Sequence, residues 1–377
     1  MTEKFLRIVT VAWLTAFAVT SADAQMPERS FNEWDRNKDG KLTKEELPDF
    51  AKRNFNRVDT DKNGFISLKE HVIFMTRGRT QQRRQPPPTV IPGYQVKVNL
   101  PYAGTDNPRQ MLDLALPLQA KSNQPIPVVV FIHGGGWRNG SKNGGLRRII
   151  PYLHAGGYAG ASIGYRLTDE AQWPAQIHDC KAAIRWLKAN AKKYNLDPER
   201  IAVHGTSAGG HLVAMLGVTG DVTTLNGKLG SHTDQDNRIA CVVDYFGPTE
   251  LLTMDDHPGK MKHNAPDSPE AKLVGGPIQK NQVKARDASP ITHVTMDDAP
   301  ILVCHGTKDP LVPYPQSVDF HAKLKAVGVD STLITVEGAE HGLRGAQLQK
   351  IVTEFLAKHL LGKAVQLEDQ TIPNQGR

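Results

Sequence analysis

Ser207 stands at the centre of Gly205-Thr206-Ser207-Ala208-Gly209, directly after the apolar run Ile201-Ala202-Val203-His204 and before His211 to Met215, which reads as the start of a helix. A serine hydroxyl becomes a useful nucleophile only when a base takes its proton and donors stabilise the oxyanion formed beside it. A strand that turns abruptly into a helix can carry the serine at the top of the turn if the positions two before and two after it lack a Cβ. Gly205 and Gly209 meet that need, and Gly210 adds room. The N–H groups at the helix start favour negative charge at the same point.

Upstream, Pro127-Val128-Val129-Val130-Phe131-Ile132 is apolar without alternation, as a strand buried on both faces must be. It runs into His133-Gly134-Gly135-Gly136-Trp137. Consecutive glycines let backbone N–H groups approach a developing oxyanion, and such donors are worth roughly 3–4 kcal/mol each. The expected donors are Gly135, Gly136 and Ala208, with Trp137 against the substrate.

The base and its orienting acid are expected at strand ends. Ile301-Leu302-Val303-Cys304 is strand-like and leads through His305-Gly306-Thr307-Lys308 to Asp309. Ser331 to Val336 is the next strand, and Glu340-His341-Gly342 follows it. Ser207, Asp309 and His341 therefore fall in the chain order of a nucleophile, acid and base set on one sheet edge. Asp297, Asp298 and Asp330 precede their strands and belong at the wrong end. His305 comes before the acid and breaks the order.

These residues resemble the HGGG-type, hormone-sensitive-lipase-like esterases of the α/β-hydrolase superfamily. The likeness continues through Ile163-Gly164-Tyr165-Arg166-Leu167, through Trp173-Pro174-Ala175 to Leu187, and through Phe246-Gly247-Pro248-Thr249. Together they are similar to the bifunctional feruloyl and acetylxylan esterase group, over about residues 93 to 361. The resemblance implies an α/β-hydrolase fold: a mostly parallel sheet with helices on both faces.

A second chemistry lies nearer the N-terminus. Asp35, Asn37, Asp39, Lys41, Thr43 and Glu46 occupy the first, third, fifth, seventh, ninth and twelfth places of a calcium loop, and Asp59, Asp61, Asn63, Phe65, Ser67 and Glu70 repeat the set. Calcium takes a cage of hard oxygens, a sharp turn at the sixth-place glycine (Gly40, Gly64) and a bidentate carboxylate at the end. Lys41 and Phe65 would contribute carbonyl oxygens, and Leu42 and Ile66 are placed to pair as a short ribbon. The short stretch Leu47 to Val58 predicts one shared helix or two stubs. Phe31, Trp34, Phe50, Phe55, Ile73 and Phe74 are the candidate core of this small all-α EF-hand domain.

The elements carrying these sites divide the chain. Residues 1–24 read as a secretory leader, with Lys4 and Arg7 before the apolar Ile8 to Val19 and a cleavage site at Ala22-Asp23-Ala24. An uncleaved anchor is the alternative. The EF-hand pair spans 25–76, an extended Arg- and Pro-rich linker 77–92, the hydrolase 93–362 and a disordered polar tail 363–377. Thr249 to His293 has no clear period and reads as insertions over the active site, or as surface loop.

The net charge of +7 comes partly from Arg77, Arg79, Arg83 and Arg84, so it marks solubility, not a nucleic-acid partner. At most a weak affinity for acidic polysaccharide follows from it. Cys180, Cys241 and Cys304 are an odd set on core-like segments and read as buried thiols. The expectation is a secreted or periplasmic serine carboxylesterase with structural Ca2+ and no cofactor for chemistry. Its substrates would be small esters or acetyl and feruloyl esters of plant-type polysaccharide, with no membrane partner once the leader is removed. A short-chain lipase, an arylformamidase or a calcium-dependent binding protein are the competing readings.

Overall fold

The structure is a computed structural model and describes residues 26–52, 54–82, 90–119, 124–257 and 259–375. Two compact units divide the chain between 87 and 88. The expected leader lies outside the described residues.

The N-terminal unit comprises α1 (Met26–Trp34), β1 (Lys41–Leu42), α2 (Asp49–Lys52), α3 (Phe55–Val58), β2 (Ile66–Ser67) and α4 (Leu68–Gln82). The segment between the calcium loops thus forms two short helices. Leu42 pairs with Ile66 in an antiparallel ribbon. Phe31, Leu42, Leu47, Phe55, Val58 and Ile66 form the core, with Trp34 and Phe74 packed against it. Ile73, expected inside, is exposed. His71 takes the inward place on α4 instead, with its ring 5.6 Å from Phe31 and 5.3 Å from Trp34. The Phe50 side chain lies outside the described residues. The linker expected from Arg77 is helical as far as Gln82, because arginine and glutamine sustain a helix and no proline intervenes before Pro86.

The C-terminal unit comprises β3 (Tyr94–Pro101), β4 (Met111–Pro117), β5 (Ile126–Ile132), α5 (Gly145–Gly156), β6 (Ala159–Ile163), α6 (Ala175–Ala189), α7 (Ala191–Tyr194), β7 (Leu196–Thr206), α8 (Ala208–Val218), β8 (Cys241–Tyr245), α9 (Pro269–Val274), α10 (Gln282–Asp287), β9 (Ile301–Gly306), α11 (Pro315–Ala326), β10 (Ser331–Glu337), α12 (Ala346–Leu361) and β11 (Gln370–Pro373). Among the described residues the sheet has nine strands, in the order β11-β10-β9-β8-β7-β5-β6-β4-β3. From β11 to β6 neighbours run parallel, and β4 and β3 join antiparallel.

β5 shows how the sequence dictates the layers. Every residue of it is buried. Val128, Val130 and Ile132 face one core with α6, α8 and α11, while Val129 and Phe131 face the other with α5 and α12. Period-2 alternation is invisible in the hydropathy because both faces are covered. The three cysteines are buried free thiols. The tail differs from expectation: Gln370–Pro373 adds a parallel strand to β10, and Ile372 is buried against the α12 side. One well-placed isoleucine and the open edge of β10 order a stretch whose composition reads as disordered.

Candidate active site

β5, β7, β9 and β10 run parallel, so the loops leaving their C-terminal ends share one edge of the sheet. His133, Ser207, Asp309 and His341 leave from these four ends.

Ser207 is the pivot between β7 and α8, with φ 56 and ψ −124. That backbone region is strained for a residue bearing a Cβ. It is held by the Ser207 N–H, which donates to the Tyr245 carbonyl at 2.9 Å. The flanking glycines are required by contact: a Cβ on Gly205 would overlap the Gly209 carbonyl, and one on Gly209 the Ile132 carbonyl. The glycine loop packs directly on this turn. A Cβ on Gly134 would lie 2.5 Å from the Thr206 carbonyl. Gly135 and Gly136 have φ of +112 and +59, in the region that favours glycine.

His341 Nδ1 donates to Asp309 Oδ2 at 2.7 Å. Asp309 Oδ1 accepts from the N–H groups of Leu311 at 2.8 Å and Val312 at 3.0 Å. Burial works to raise the Asp309 pKa, but hydrogen bonds from His305 and His341 outweigh it and hold the carboxyl well below the usual range. The carboxylate stays ionised and fixes the imidazole with Nε2 free for a proton. Ser207 makes no hydrogen bond to His341 in this structure; such contacts commonly close only with substrate present.

Ser207, His341, Gly135, Gly136, Ala208 and Trp137 all line one cavity of about 780 Å³. Asp309 lies beneath it, its side chain fully buried. The rival carboxylates are elsewhere: Asp298 caps the Thr295 turn and Asp330 pairs with Lys358. Segment 249–293 folds into short helices, and Met261, Pro269 and Glu270 from it line the cavity.

Trp137 does more than line the cavity. Its indole is turned into the core, 1% exposed, and Nε1 donates to His211 Nδ1 at 3.2 Å. His211 Nε2 in turn donates to the Ala288 carbonyl at 2.6 Å. Burial lowers the His211 pKa to about 4 and fixes it neutral, as this one-donor, one-acceptor pattern needs. Trp137 is thus a positioning residue that ties the glycine loop to α8 and to the end of α10. His133 also braces the loop. Its ring stacks on Tyr165 at 4.3 Å, and burial lowers its pKa to about 4.

Sequence reasoning also missed a partner of the acid. His305 Nε2 lies 3.3 Å from Asp309 Oδ2 and 3.0 Å from the Val312 carbonyl, while its Nδ1 accepts from the Ser317 hydroxyl at 2.7 Å. Its place four residues before Asp309 was the available signal.

In the N-terminal unit, ligand atoms of Asp59, Asp61 and Glu70 lie within 4.8 Å of one another. Gly40 and Gly64, at φ +77 and +88, make the turns. Asp35 accepts from the N–H groups of Asp39 and Gly40, as Asp59 does from Asn63 and Gly64. Burial would raise the Glu70 pKa, yet hydrogen bonds from Ser67 and Thr60 bring it to about 2. This ionised, all-oxygen donor set fits a calcium ion.

Comparison with known proteins agrees with this geometry. Residues 112–324 match the BD-FAE family, and residues 28–51 and 53–70 match the EF hand. Esterase LipC of Mycobacterium tuberculosis is 35% identical over 63% of this chain and 58% of its own length. Probable carboxylic ester hydrolase LipM of the same organism is 32% identical over 53% of this chain and 45% of its own. The chain therefore spans about half the length of these curated relatives. Among solved structures, a truncated form of a carbohydrate esterase from gut microbiota superposes with a TM-score of 0.66 at 32% identity, covering 73% of this chain and 99% of that one. A bifunctional GH43-CE protein of Bacteroides eggerthii gives 0.65 at 31%, covering 70% and 35%.

Proposed function

We propose that this chain, which belongs to the BD-FAE family of α/β-hydrolase esterases, hydrolyses carboxylic esters through Ser207, His341 and Asp309. The observation that carries the reading is the 2.7 Å contact of His341 Nδ1 with a buried, ionised Asp309, on a loop that shares one cavity with the strained Ser207. Ser207 Oγ attacks the ester carbonyl as His341 Nε2 takes its proton. The N–H groups of Gly135, Gly136 and Ala208 receive the oxyanion. His341 then returns the proton to the departing alkoxide, and water repeats the sequence on the acyl-enzyme.

The substrate class is acetyl or feruloyl esters on plant-type polysaccharide. The wide cavity and the likeness to a carbohydrate esterase support it. The protein is exported, and the EF-hand pair binds calcium through Asp35, Asn37, Asp39, Lys41, Thr43 and Glu46 and through Asp59, Asp61, Asn63, Phe65, Ser67 and Glu70. Calcium supplies cross-linking charge to that unit and no step of the ester chemistry.

The test is hydrolysis of acetylated xylan, methyl ferulate and p-nitrophenyl esters of graded chain length by the purified protein. Turnover of xylan acetate or ferulate, abolished in Ser207→Ala, is expected. Turnover of none of the esters would overturn the reading; turnover of long-chain p-nitrophenyl esters alone would replace polysaccharide with lipid.

A further inference from the structure

The charge of the catalytic cavity is one-sided. Arg138, Arg148 and Arg344 line it. They come from three separate elements: Arg138 follows the glycine loop, Arg148 lies in the first turn of α5, and Arg344 stands three residues after His341. All three are exposed, and none makes a side-chain hydrogen bond or ion pair among the described residues. Three other arginines of this unit are held by carboxylates: Arg109 to Glu170 at 3.0 Å, Arg200 to Asp197 at 2.7 Å and Arg238 to Asp221 at 2.6 Å. The acidic residue among the cavity's lining is Glu270. Its side chain is 5% exposed and lies 3.1 Å from His263 Nδ1, so three arginines stand against one carboxylate in the lining.

We propose that the ester cleaved at Ser207 is carried on an anionic chain, whose carboxylate or sulfate groups are held by Arg138, Arg148 and Arg344. This rests on the ester-hydrolase reading and narrows its substrate class. A guanidinium presents a planar fork of donors that matches carboxylate and sulfate oxygens alike. Three such forks around a concave site with apolar walls concentrate anions and speed their capture. Arginines serving solubility alone gain nothing from sharing a cavity with the nucleophile. Arg147 shows the contrast: it is exposed and adjacent to Arg148 in sequence, yet does not line the cavity.

The experiment compares kcat/KM on three xylans of equal acetyl content: a neutral one, one bearing uronate and one bearing sulfate. The expected ratio of anionic to neutral substrate is about tenfold at low salt, falling toward one near 0.5 M NaCl as screening shortens below about 5 Å. In the triple variant Arg138→Gln, Arg148→Gln, Arg344→Gln the ratio should fall to about one, and in Arg147→Gln it should stay. If the triple variant does not fold, each single variant should lower the ratio about twofold. The better of the two anionic arms identifies carboxylate or sulfate as the group held. A ratio of one in the unmodified protein, a ratio that survives the substitutions, or an equal loss in Arg147→Gln would overturn the inference. p-Nitrophenyl acetate separates the two levels. Its turnover with a ratio of one sinks the anionic substrate alone, while no turnover of any ester sinks the hydrolase reading and this inference with it.

Discussion

His305 lies 3.3 Å from Asp309, on the same carboxylate oxygen that His341 uses. The acid is therefore held from below as well as from the catalytic side. His305→Leu removes the lower donor and should reduce kcat about tenfold with KM nearly unchanged, because orientation of the imidazole matters most in the transition state. His305→Gln, which keeps an N–H, should recover part of the loss. A variant with a raised KM and intact kcat would make His305 a packing residue only.

Ser207→Ala should lower kcat by about 10⁴-fold or more, and Asp309→Asn by somewhat less. Steady-state rates on p-nitrophenyl acetate measure both. Wild-type activity in Asp309→Asn would remove Asp309 from the triad.

Gly205→Ala puts a Cβ into the Gly209 carbonyl. Overpacking there should cost roughly 3 kcal/mol and displace Ser207, so kcat falls further than the melting temperature alone accounts for. Calorimetry beside kinetics separates the two. A variant equal to wild type in both would mean the turn relaxes freely.

Acid should weaken the esterase unit through its buried histidines. Burial holds both His133 and His211 at about 4, under their ordinary 6.5. A folded-state pKa below the unfolded one means the stabilisation is fully present above pH 6.5 and is lost as pH falls toward 4. Each group accounts for a loss on the order of 3 kcal/mol across that window. His211→Gln should be less stable at pH 7 but lose less between pH 7 and 4.5, so the two melting curves converge. Parallel curves would show that His211 titrates normally.

Calcium should act on the N-terminal unit and not on the chemical step. Glu46→Gln with Glu70→Gln should abolish the calcium-dependent melting shift, which arises by mass action on the folded state. Its kcat on p-nitrophenyl acetate should stay within about twofold of wild type. A tenfold loss with the esterase unit still folded by circular dichroism would show that the two units are coupled.

The parts of this protein legible in its sequence are those where one residue type is physically obligatory. Gly205 and Gly209 admit no Cβ, Pro127 to Ile132 is apolar on both faces, and Gly40 and Gly64 mark the turns of two oxygen-rich loops. Each leaves a local signature. What the sequence hides depends on partners far along the chain. Trp137 reads only as a substrate contact, and its anchoring role emerges when His211, 74 residues away, is seen to take its indole N–H. The pairing of Ile372 with the β10 edge is equally remote, because a strand of four residues has no period of its own. The helical run to Gln82 escapes notice for a different reason: a basic, proline-flanked segment has a helix-compatible first half that its composition as a whole conceals.

The outermost strand has a practical consequence for dissecting the chain. The family match ends at residue 324, before His341, and composition alone would place a cut near Gly362. A protein shortened there would lose β11, leaving the N–H and C=O groups on the outer edge of β10 without partners and the hollow left by Ile372 open. Such an uncovered ribbon is a template for joining a second molecule. Trimming the last fifteen residues, a routine step toward better crystals, would in this case expose an edge prone to self-association.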